Sequence, residues 1–131
     1  MTVEVHLVTP EREVWTGDVE MVIAHGVEGE VGILGGHAPL LVQLAIGPLR
    51  LQMSDGSWTK AVVDGGFMHV STEEGATRAD VLASQAQLES EIDVEAARVR
   101  LQDLESRRGE DDDGEAEAEI AKALARISIG G

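Results

Sequence analysis

A dense glycine cluster is the first feature of the sequence that could carry chemistry, because glycine-rich loops cradle phosphate groups in nucleotide-binding proteins. The cluster consists of Gly26, Gly29, Gly32, Gly35 and Gly36. Its spacing does not match G-x-G-x-x-G, and no Lys-Ser or Lys-Thr pair follows it as in a P-loop. The residues therefore indicate either a tight loop between strands or a loop that docks on a partner, and both interpretations stay open.

Residue types that bind metals are present, but their spacing is not that of a metal site. No two of the histidines are two or four residues apart, and the chain has no cysteine. Aligning Gly114 with the sixth position of a calcium-binding EF-hand loop puts Gly109 and Ile120 where acidic ligands are required. No serine–histidine–acid arrangement stands out either. We therefore predict no metal, no catalytic residue and no independent enzymatic activity.

The chain is strongly acidic, with 10 basic against 25 acidic side chains and a net charge of −15 over 131 residues. Such a charge repels nucleic-acid phosphates and anionic lipid headgroups, so we expect neither nucleic-acid binding nor direct insertion into a bilayer. No run approaches the roughly 20 apolar residues that span a membrane, and the N-terminus lacks a signal-peptide pattern. We expect a soluble cytoplasmic chain that is a monomer in isolation.

The first two-thirds of the chain shows the period-two alternation of half-buried strands. Alternating runs occur at residues 3–8, 19–24, 49–53 and 79–83. The residues expected to face the core are Val3, Val5, Leu7, Val19, Met21, Ile23, Leu49, Leu51 and Met53. Turn signals separate the runs at residues 16–18, 26–36, 47–48, 54–56 and 74–75. The pattern predicts an antiparallel β-sandwich over residues 1–86, with residues 79–83 as its last strand.

The hydrophobic period becomes helical after about residue 86. Ser90 has the spacing of an N-cap in a capping box, and the helix after it is expected to bury Val94, Ala97, Leu101 and Leu104. Beyond a polar break at residues 107–115, a second helix has a shared face formed by Ala116, Ile120, Ala123, Leu124 and Ile127. We therefore predict an α+β fold in which residues 87–131 form an antiparallel helical hairpin, weakly held because both helices are short.

Three stretches resemble the epsilon subunit of bacterial rotary (F-type) ATP synthases, in the order and over the length typical of that family. Residues 28–41, EGEVGILGGHAPLL, resemble its loop pattern G-E-x-G-I-x-P-x-H-x-P-L. Residues 64–70, DGGFMHV, resemble a second signature, and residues 118–127, AEIAKALARI, resemble the final helix. Gly35 stands where proline is usual, which we expect to loosen the loop without abolishing it.

The resemblance implies a central-stalk rotor subunit that couples proton flow to ATP synthesis on the cytoplasmic side of the membrane. The sandwich would clasp the gamma subunit, and Glu30 and His37 would contact polar loops of the c-ring. Gly32 would let the backbone come close to the ring, and Pro39 would stiffen the exit from the loop.

The resemblance also gives the hairpin a regulatory role, since in that family it either folds down on the sandwich or extends to the alpha and beta subunits and restrains ATP hydrolysis. Some members bind ATP there through I/L-D-x-x-R-A, which corresponds here to Ile92 and Asp93, with Ala96 in place of the arginine. Lys122 and Arg126 remain as candidate phosphate ligands. We predict weak or no ATP binding, no cofactor and, because only these two cations lie on an acidic second helix, weak restraint of hydrolysis.

One alternative of a different class fits the same residues. A small ligand-binding or adaptor sandwich could carry a helical tail that binds an unrelated partner. Co-purification with a gamma-like helical subunit would distinguish the two functions, because only a rotor subunit requires that partner.

Overall fold

The computed structural model of the chain describes residues 1–107 and 114–130. The strands are β1 (Val3–Val8), β2 (Glu13–Val19), β3 (Met21–Gly26), β4 (Gly29–Leu34), β5 (Leu40–Gln52), β6 (Trp58–Glu73), β7 (Ala76–Ala83) and β8 (Ala86–Leu88). A 3-10 turn (Glu89–Glu91) leads to the helices α1 (Val94–Ser106) and α2 (Gly114–Gly130). The polar break expected at residues 107–115 and the acidic run within it lie largely outside the described residues, as does Gly131.

The strands form two layers that share the two longest strands, β5 and β6. The order along the sheet is β2-β1-β7-β6-β5-β3-β4, and β8 also pairs with β6. Residues 66–73 of β6 pair with β7, whereas residues 61–63 pair with β8. Among the described strands every pair is antiparallel except β1–β7, which is parallel. The predicted α+β class, a sandwich followed by two helices, is confirmed, with this one parallel pair inside it.

Two consecutive glycines allow β6 to pass from one layer to the other. The φ angle is +85° at Gly65 and +127° at Gly66, values that residues with a side chain rarely adopt. A Cβ atom at Gly66 would lie 2.1 Å from the carbonyl oxygen of Leu82 and 2.8 Å from the Cα atom of Ala83, both on β7. The fold of this chain therefore requires the two glycines of the signature at residues 64–70, because they allow β6 to bend while it stays paired.

The core between the layers confirms most of the predicted inward faces but reverses one. Val3, Val5 and Leu7 on β1 are fully buried, and so are Leu49 and Leu51 on β5, with Met53 half-buried against the core. On β3, by contrast, Val22 and Ala24 are buried, and the predicted Met21 and Ile23 are half-buried. The run 19–24 is two strands, because β2 ends at Val19 and the chain turns at Glu20. Alternation cannot be extrapolated through such a corner.

Two predicted turns are wrong, because both glycine-containing segments lie inside strands. Residues 16–18 belong to β2, where the ring of Trp15 covers Gly17 so closely that a Cβ atom would lie 2.8 Å from it. Residues 47–48 belong to β5, where a Cβ atom at Gly47 would lie 2.7 Å from the ring of His25. At both positions glycine leaves room for an aromatic ring. The sequence alone cannot distinguish this role of glycine in a strand from its role in a turn.

Two of the other turn signals are confirmed, whereas the glycine cluster at residues 26–36 lies mostly in strand β4. Residues 54–56 connect β5 to β6, and the Asp55 carboxylate accepts hydrogen bonds from the backbone N–H and the hydroxyl of Ser57 at 2.9 and 2.6 Å. These bonds lower the pKa of Asp55. Glu74 and Gly75, both with positive φ, connect β6 to β7. Residues 79–83 are not the last strand, however, because the short β8 follows them.

The first helix begins at a different residue from the one expected. Ser90 lies in the 3-10 turn, and the N-cap is Asp93, whose carboxylate accepts a hydrogen bond from the Ala96 N–H at 3.0 Å. Asp93, the expected partner of Ser90 in the capping box, is thus itself the cap, and Glu91 accepts hydrogen bonds from Arg12 at 2.9 Å and from the Leu88 N–H at 3.0 Å. These two bonds attach the turn to the sandwich and lower the pKa of Glu91.

The apolar faces of the two helices agree with the sequence at all but one position. Ala97 and Leu104 on α1 and Ile120 and Ala123 on α2 are buried, whereas Leu124 is exposed. Helix α2 packs on β5 and β6 as well as on α1. Its position explains the complete burial of Val62, which lies outside the core between the layers. The hairpin therefore lies folded against the outer face of one layer, while the boundary between residues 86 and 87 stays a prediction.

Candidate functional site

Residues 28–41, which we call the 28–41 segment, are mostly an edge strand rather than a loop. They comprise the end of the β3–β4 hairpin, all of β4, a short loop at residues 35–39 and the start of β5. Strand β4 pairs only with β3 and forms the end of the sheet order. The tight turn expected from the sequence is present between β3 and β4. An edge strand also exposes unpaired backbone groups that a partner can bind, so the docking interpretation stays a prediction.

A shallow cleft opens where this segment folds back on itself. It has a volume of about 360 Å³ and lies between residues 26–31 and residues 40–43. Val27 and Leu41 at this cleft are exposed, Leu41 to 65% of its area. Exposed apolar side chains grouped at the rim of a cleft are typical of a surface that a partner covers. This grouping could not be predicted from the sequence, because the two residues are fourteen positions apart and approach only through the strand pairing.

Glu30 is the one candidate contact residue that lines this cleft in the part of the chain that the structure describes. It lies opposite His25 on β3, and its carboxylate accepts a hydrogen bond from the Arg50 guanidinium at 2.5 Å. The Glu30 side chain is 57% exposed and the Arg50 side chain 36% exposed, so this ion pair contributes at most about 1 kcal/mol. Glu30 can therefore exchange Arg50 for an external hydrogen-bond donor at little cost.

The loop at residues 35–39, which carries His37 and Pro39, is fixed to the ends of β6 and β7. The Gly36 N–H donates to the Thr77 hydroxyl at 2.7 Å, and the Thr72 hydroxyl donates to the His37 carbonyl at 2.8 Å. The His37 ring donates from Nδ1 to the Ala38 carbonyl at 2.7 Å, which leaves Nε2 as the acceptor of the neutral ring. Nothing in the sequence marked the two threonines, because both are ordinary strand residues.

The surroundings of Gly35 exclude a side chain, whereas those of Gly32 do not. A Cβ atom at Gly35 would lie 2.5 Å from the Cβ atom and 2.8 Å from the carbonyl carbon of Met1, so the N-terminal residue occupies the space that a proline would need. The packing of Met1 at this position leaves no room for a larger residue, and a looser loop stays a prediction. At Gly32, no atom lies within 4 Å of the Cβ position in the described structure.

The four candidate contact residues do not form one cluster. Glu30 and Gly32 lie on β4, whereas His37 and Pro39 follow its end, and Pro39 is exposed. A strand of this length spans about 20 Å, so the four residues mark an extended edge of the sandwich. Such an edge suits a broad protein–protein contact better than a small-molecule site.

The four candidate nucleotide ligands do come together, in a cleft of about 370 Å³ between the helices and the sandwich. Its lining includes Ile92, Asp93, Lys122 and Arg126. The three polar side chains among them, however, are already engaged by other groups of the chain. Asp93 caps α1, Lys122 lies 3.3 Å from Glu119, and Arg126 is paired with Asp64 of β6.

The outer face of the layer that contains β7 carries a second exposed apolar group, which we call the Phe67–Leu82 patch. Phe67 on β6 and Leu82 on β7 are direct cross-strand partners, and Phe67 is exposed to 48% of its area. Leu41 lies diagonally from Phe67, since its partner on β6 is His69. Exposed apolar side chains grouped in this way are typical of a surface that a partner covers.

Among the described residues, no group of three or more histidine or acidic side chains is arranged to hold a metal ion. Over the same residues, neither helix has the length and apolar character needed to cross a bilayer.

Comparison with known proteins defines the class first. A family model described as the β-sandwich domain of the ATP synthase delta/epsilon chain matches residues 2–89. A chain of the Euglena gracilis mitochondrial ATP synthase, solved as an OSCP/F1/c-ring assembly, has the same fold with a TM-score of 0.78 and 26% identity, covering 97% of this chain and 79% of that one. The fold and its exposed edge are thus those of an ATP synthase delta/epsilon-type sandwich.

Curated relatives then give the particular family. The ATP synthase epsilon chain of Thermobifida fusca is 45% identical over 125 residues, which cover 94% of this chain and 88% of that one. The epsilon chain of Bacillus pumilus is 38% identical, with 99% and 98% covered. The chain belongs to the ATP synthase epsilon-chain family. The resemblance inferred from the sequence is confirmed, and membership of this rotor-subunit family favours the central-stalk role over an unrelated adaptor.

Proposed function

We propose that the chain connects the gamma subunit to the c-ring, couples proton flow to ATP synthesis and has no catalytic activity of its own. The observation that carries this proposal is the exposed apolar cleft and edge strand of the 28–41 segment, at the residues that match the family loop. As part of ATP synthase the chain is attached to a membrane complex, and we place it on the cytoplasmic side as a peripheral subunit.

The ring contact is assigned to Glu30, Gly32, His37 and Pro39. Glu30 offers an exposed carboxylate whose ion pair with Arg50 is weak, and the bond from His37 to Ala38 uses only the Nδ1 atom of the ring. Within the described chain, no neighbouring atom prevents a side chain at position 32. The absence of one at Gly32 allows polar loops of the ring to approach the backbone closely. The threonine-fixed loop keeps these groups in place, as a torque-bearing contact needs.

We expect Glu30→Lys or His37→Asp to lower proton-driven ATP synthesis by the assembled enzyme roughly fivefold, the effect of about 1 kcal/mol lost at a contact. Both side chains lie at the surface of a rigid scaffold, so the melting temperature should stay within a few degrees of wild type. The matched control for Glu30→Lys is Glu11→Lys, the same charge change at the exposed β1–β2 connection. Unchanged synthesis with normal assembly would show that the edge does not contact the ring.

The gamma contact is assigned to the Phe67–Leu82 patch. The helices cover the outer face of the other layer, so the face that carries the Phe67–Leu82 patch remains exposed while the hairpin is folded. The patch joins Leu41 of the 28–41 segment, which allows gamma and the ring to be bound by adjoining surfaces. A single gamma per chain is expected, with the chain monomeric by itself because of its negative charge.

The hairpin is assigned a regulatory role that is weak in this chain. Extended towards the alpha and beta subunits, α2 would offer only Lys122 and Arg126 as cations beside several acidic side chains near its start. Exposed ion pairs contribute roughly 0–1 kcal/mol each, so two of them offset little repulsion. We therefore propose that the hairpin restrains ATP hydrolysis only slightly.

We expect ATP to bind the cleft between the helices and the sandwich with a Kd weaker than about 1 mM. Ala96 offers no cation, and carboxylates of Asp64, Glu91 and Glu119 line the same space and repel phosphate. Isothermal calorimetry with Mg-ATP on the full chain measures the affinity, and Mg-ADP serves as the control for non-specific phosphate binding. A micromolar Kd for ATP would contradict the assignment.

A further inference from the structure

Asp64 and Arg126 form the most extensively hydrogen-bonded ion pair of the described chain, and this pair joins the sandwich to the hairpin. Asp64 lies on β6 directly before the Gly65–Gly66 bend, and its side chain is 1% exposed; Arg126 on α2 is 16% exposed. The guanidinium donates to both carboxylate oxygens of Asp64, at 3.0 and 2.8 Å. It also donates from Nε to the Gln87 amide oxygen at 2.7 Å and to the Lys122 carbonyl at 3.0 Å.

Burial makes this pair different from the other ion pair between the two regions. Arg12 and Glu91 also join the sandwich to the start of the hairpin, but their side chains are 46% and 36% exposed. An exposed pair is weakened by water, whereas removing one partner of a buried pair leaves an uncompensated charge. Opening of α2 would take Arg126 away from Asp64, so the pair has to break whenever the hairpin leaves the sandwich.

The same pair decides what the neighbouring cleft can bind. Arg126 lines the cleft, and four of its five N–H donors are already used by Asp64, Gln87 and Lys122. Of the other cations there, Lys122 is paired with Glu119, and Arg100 lies near Asp103 and Glu119. To bind Arg126, an anionic ligand would have to displace the carboxylate of Asp64, which holds the guanidinium by two hydrogen bonds in a nearly water-free position. A ligand phosphate does not do this readily.

We propose that Asp64 is the built-in ligand of Arg126: its carboxylate closes the hairpin on the sandwich without any bound anion and keeps nucleotide phosphates from this arginine. The inference rests on the proposed regulatory role of the hairpin. Closure is then set by the chain itself, so nucleotide concentration does not move the hairpin, and opening depends on partners that compete for α2.

The test is amide hydrogen exchange on the full-length chain, read separately over α2 and over β1 and β7. Asp64→Asn and Arg126→Gln should each speed exchange in α2 by at least about tenfold, equivalent to ~1.4 kcal/mol. The double variant should exceed the larger single effect by less than about twofold, because both changes remove one interaction. The control Glu91→Gln, which neutralises the exposed pair, should change α2 exchange less than twofold, and millimolar Mg-ATP should leave wild-type α2 unchanged.

Three results would overturn the proposal. The first is an exchange rate of α2 in Asp64→Asn that stays within twofold of wild type. The second is an equal acceleration of exchange in α2, β1 and β7, which would mean that Asp64 stabilises the whole fold. The third is slower exchange of wild-type α2 when Mg-ATP is added. The measurement needs neither gamma nor the membrane sector. Failure here therefore leaves the rotor function intact, and failure of the coupling experiment leaves the Asp64–Arg126 pair intact.

Discussion

Gly66→Ala is expected to lower the free energy of unfolding by about 4 kcal/mol or more, at the extreme end of single substitutions. The φ angle of +127° alone costs a residue with a side chain about 1–3 kcal/mol. The added Cβ atom would in addition lie 2.1 Å from the Leu82 carbonyl oxygen. That oxygen belongs to the backbone of β7, so relief requires the β6–β7 pairing itself to open.

Gly29→Ala is the matched control for this substitution. Its φ angle of +130° is almost the same, but no atom of the described chain lies within 4 Å of its Cβ position. The control should lose only the conformational part, about 1–3 kcal/mol. Urea unfolding followed by circular dichroism measures both variants. Equal losses would mean that the contact with β7 relaxes and that the bend is less constrained than its geometry indicates.

Phe67→Asp is expected to weaken binding to the gamma subunit at least a hundredfold, about 2.7 kcal/mol. The substitution removes an aromatic anchor from the Phe67–Leu82 patch and places an unpaired carboxylate in the contact. Because Phe67 is 48% exposed and outside the core, the melting temperature should change little. Leu82→Asp should act in the same direction, since the two residues are cross-strand partners.

Val99→Asp controls for the loss of an exposed apolar side chain in general. Val99 is 65% exposed on α1, on the part of the chain that we do not assign to gamma. Surface plasmon resonance with immobilised gamma measures the affinity of all three variants. Unchanged binding by Phe67→Asp, or equal weakening by Val99→Asp, would move the gamma contact to another face.

The sequence predicted those elements whose signals are local. The alternation of Val3, Val5 and Leu7 gave the correct inward face of β1, and Asp55-Gly56 gave the correct hairpin. Both depend on neighbouring residues alone, as strand alternation and turn chemistry do. The family resemblance of residues 28–41 was equally local, and it was sufficient to identify the family.

Errors arose where a local signal had two possible causes. Gly17 and Gly47 looked like turn residues but make room for the rings of Trp15 and His25 on the same or a neighbouring strand. Ser90 and Asp93 had capping-box spacing, but Asp93 is the N-cap, and Arg12, which is distant in sequence, binds Glu91 in the turn before it. A contact with a distant residue cannot be read from spacing, so these positions needed the pairing of the strands.

By itself the sequence determined the class of this protein: its strand and helix periods, its acidity and its loop pattern follow from residue types in order. Only the tertiary structure decided which groups meet. The exposed cleft of the 28–41 segment, the fixing of His37 by Thr72 and the Asp64–Arg126 pair join residues 14 to 62 positions apart. Such contacts form only when the layers close and α2 folds onto them, because burial and strand register, not local preference, bring these side chains within bonding distance.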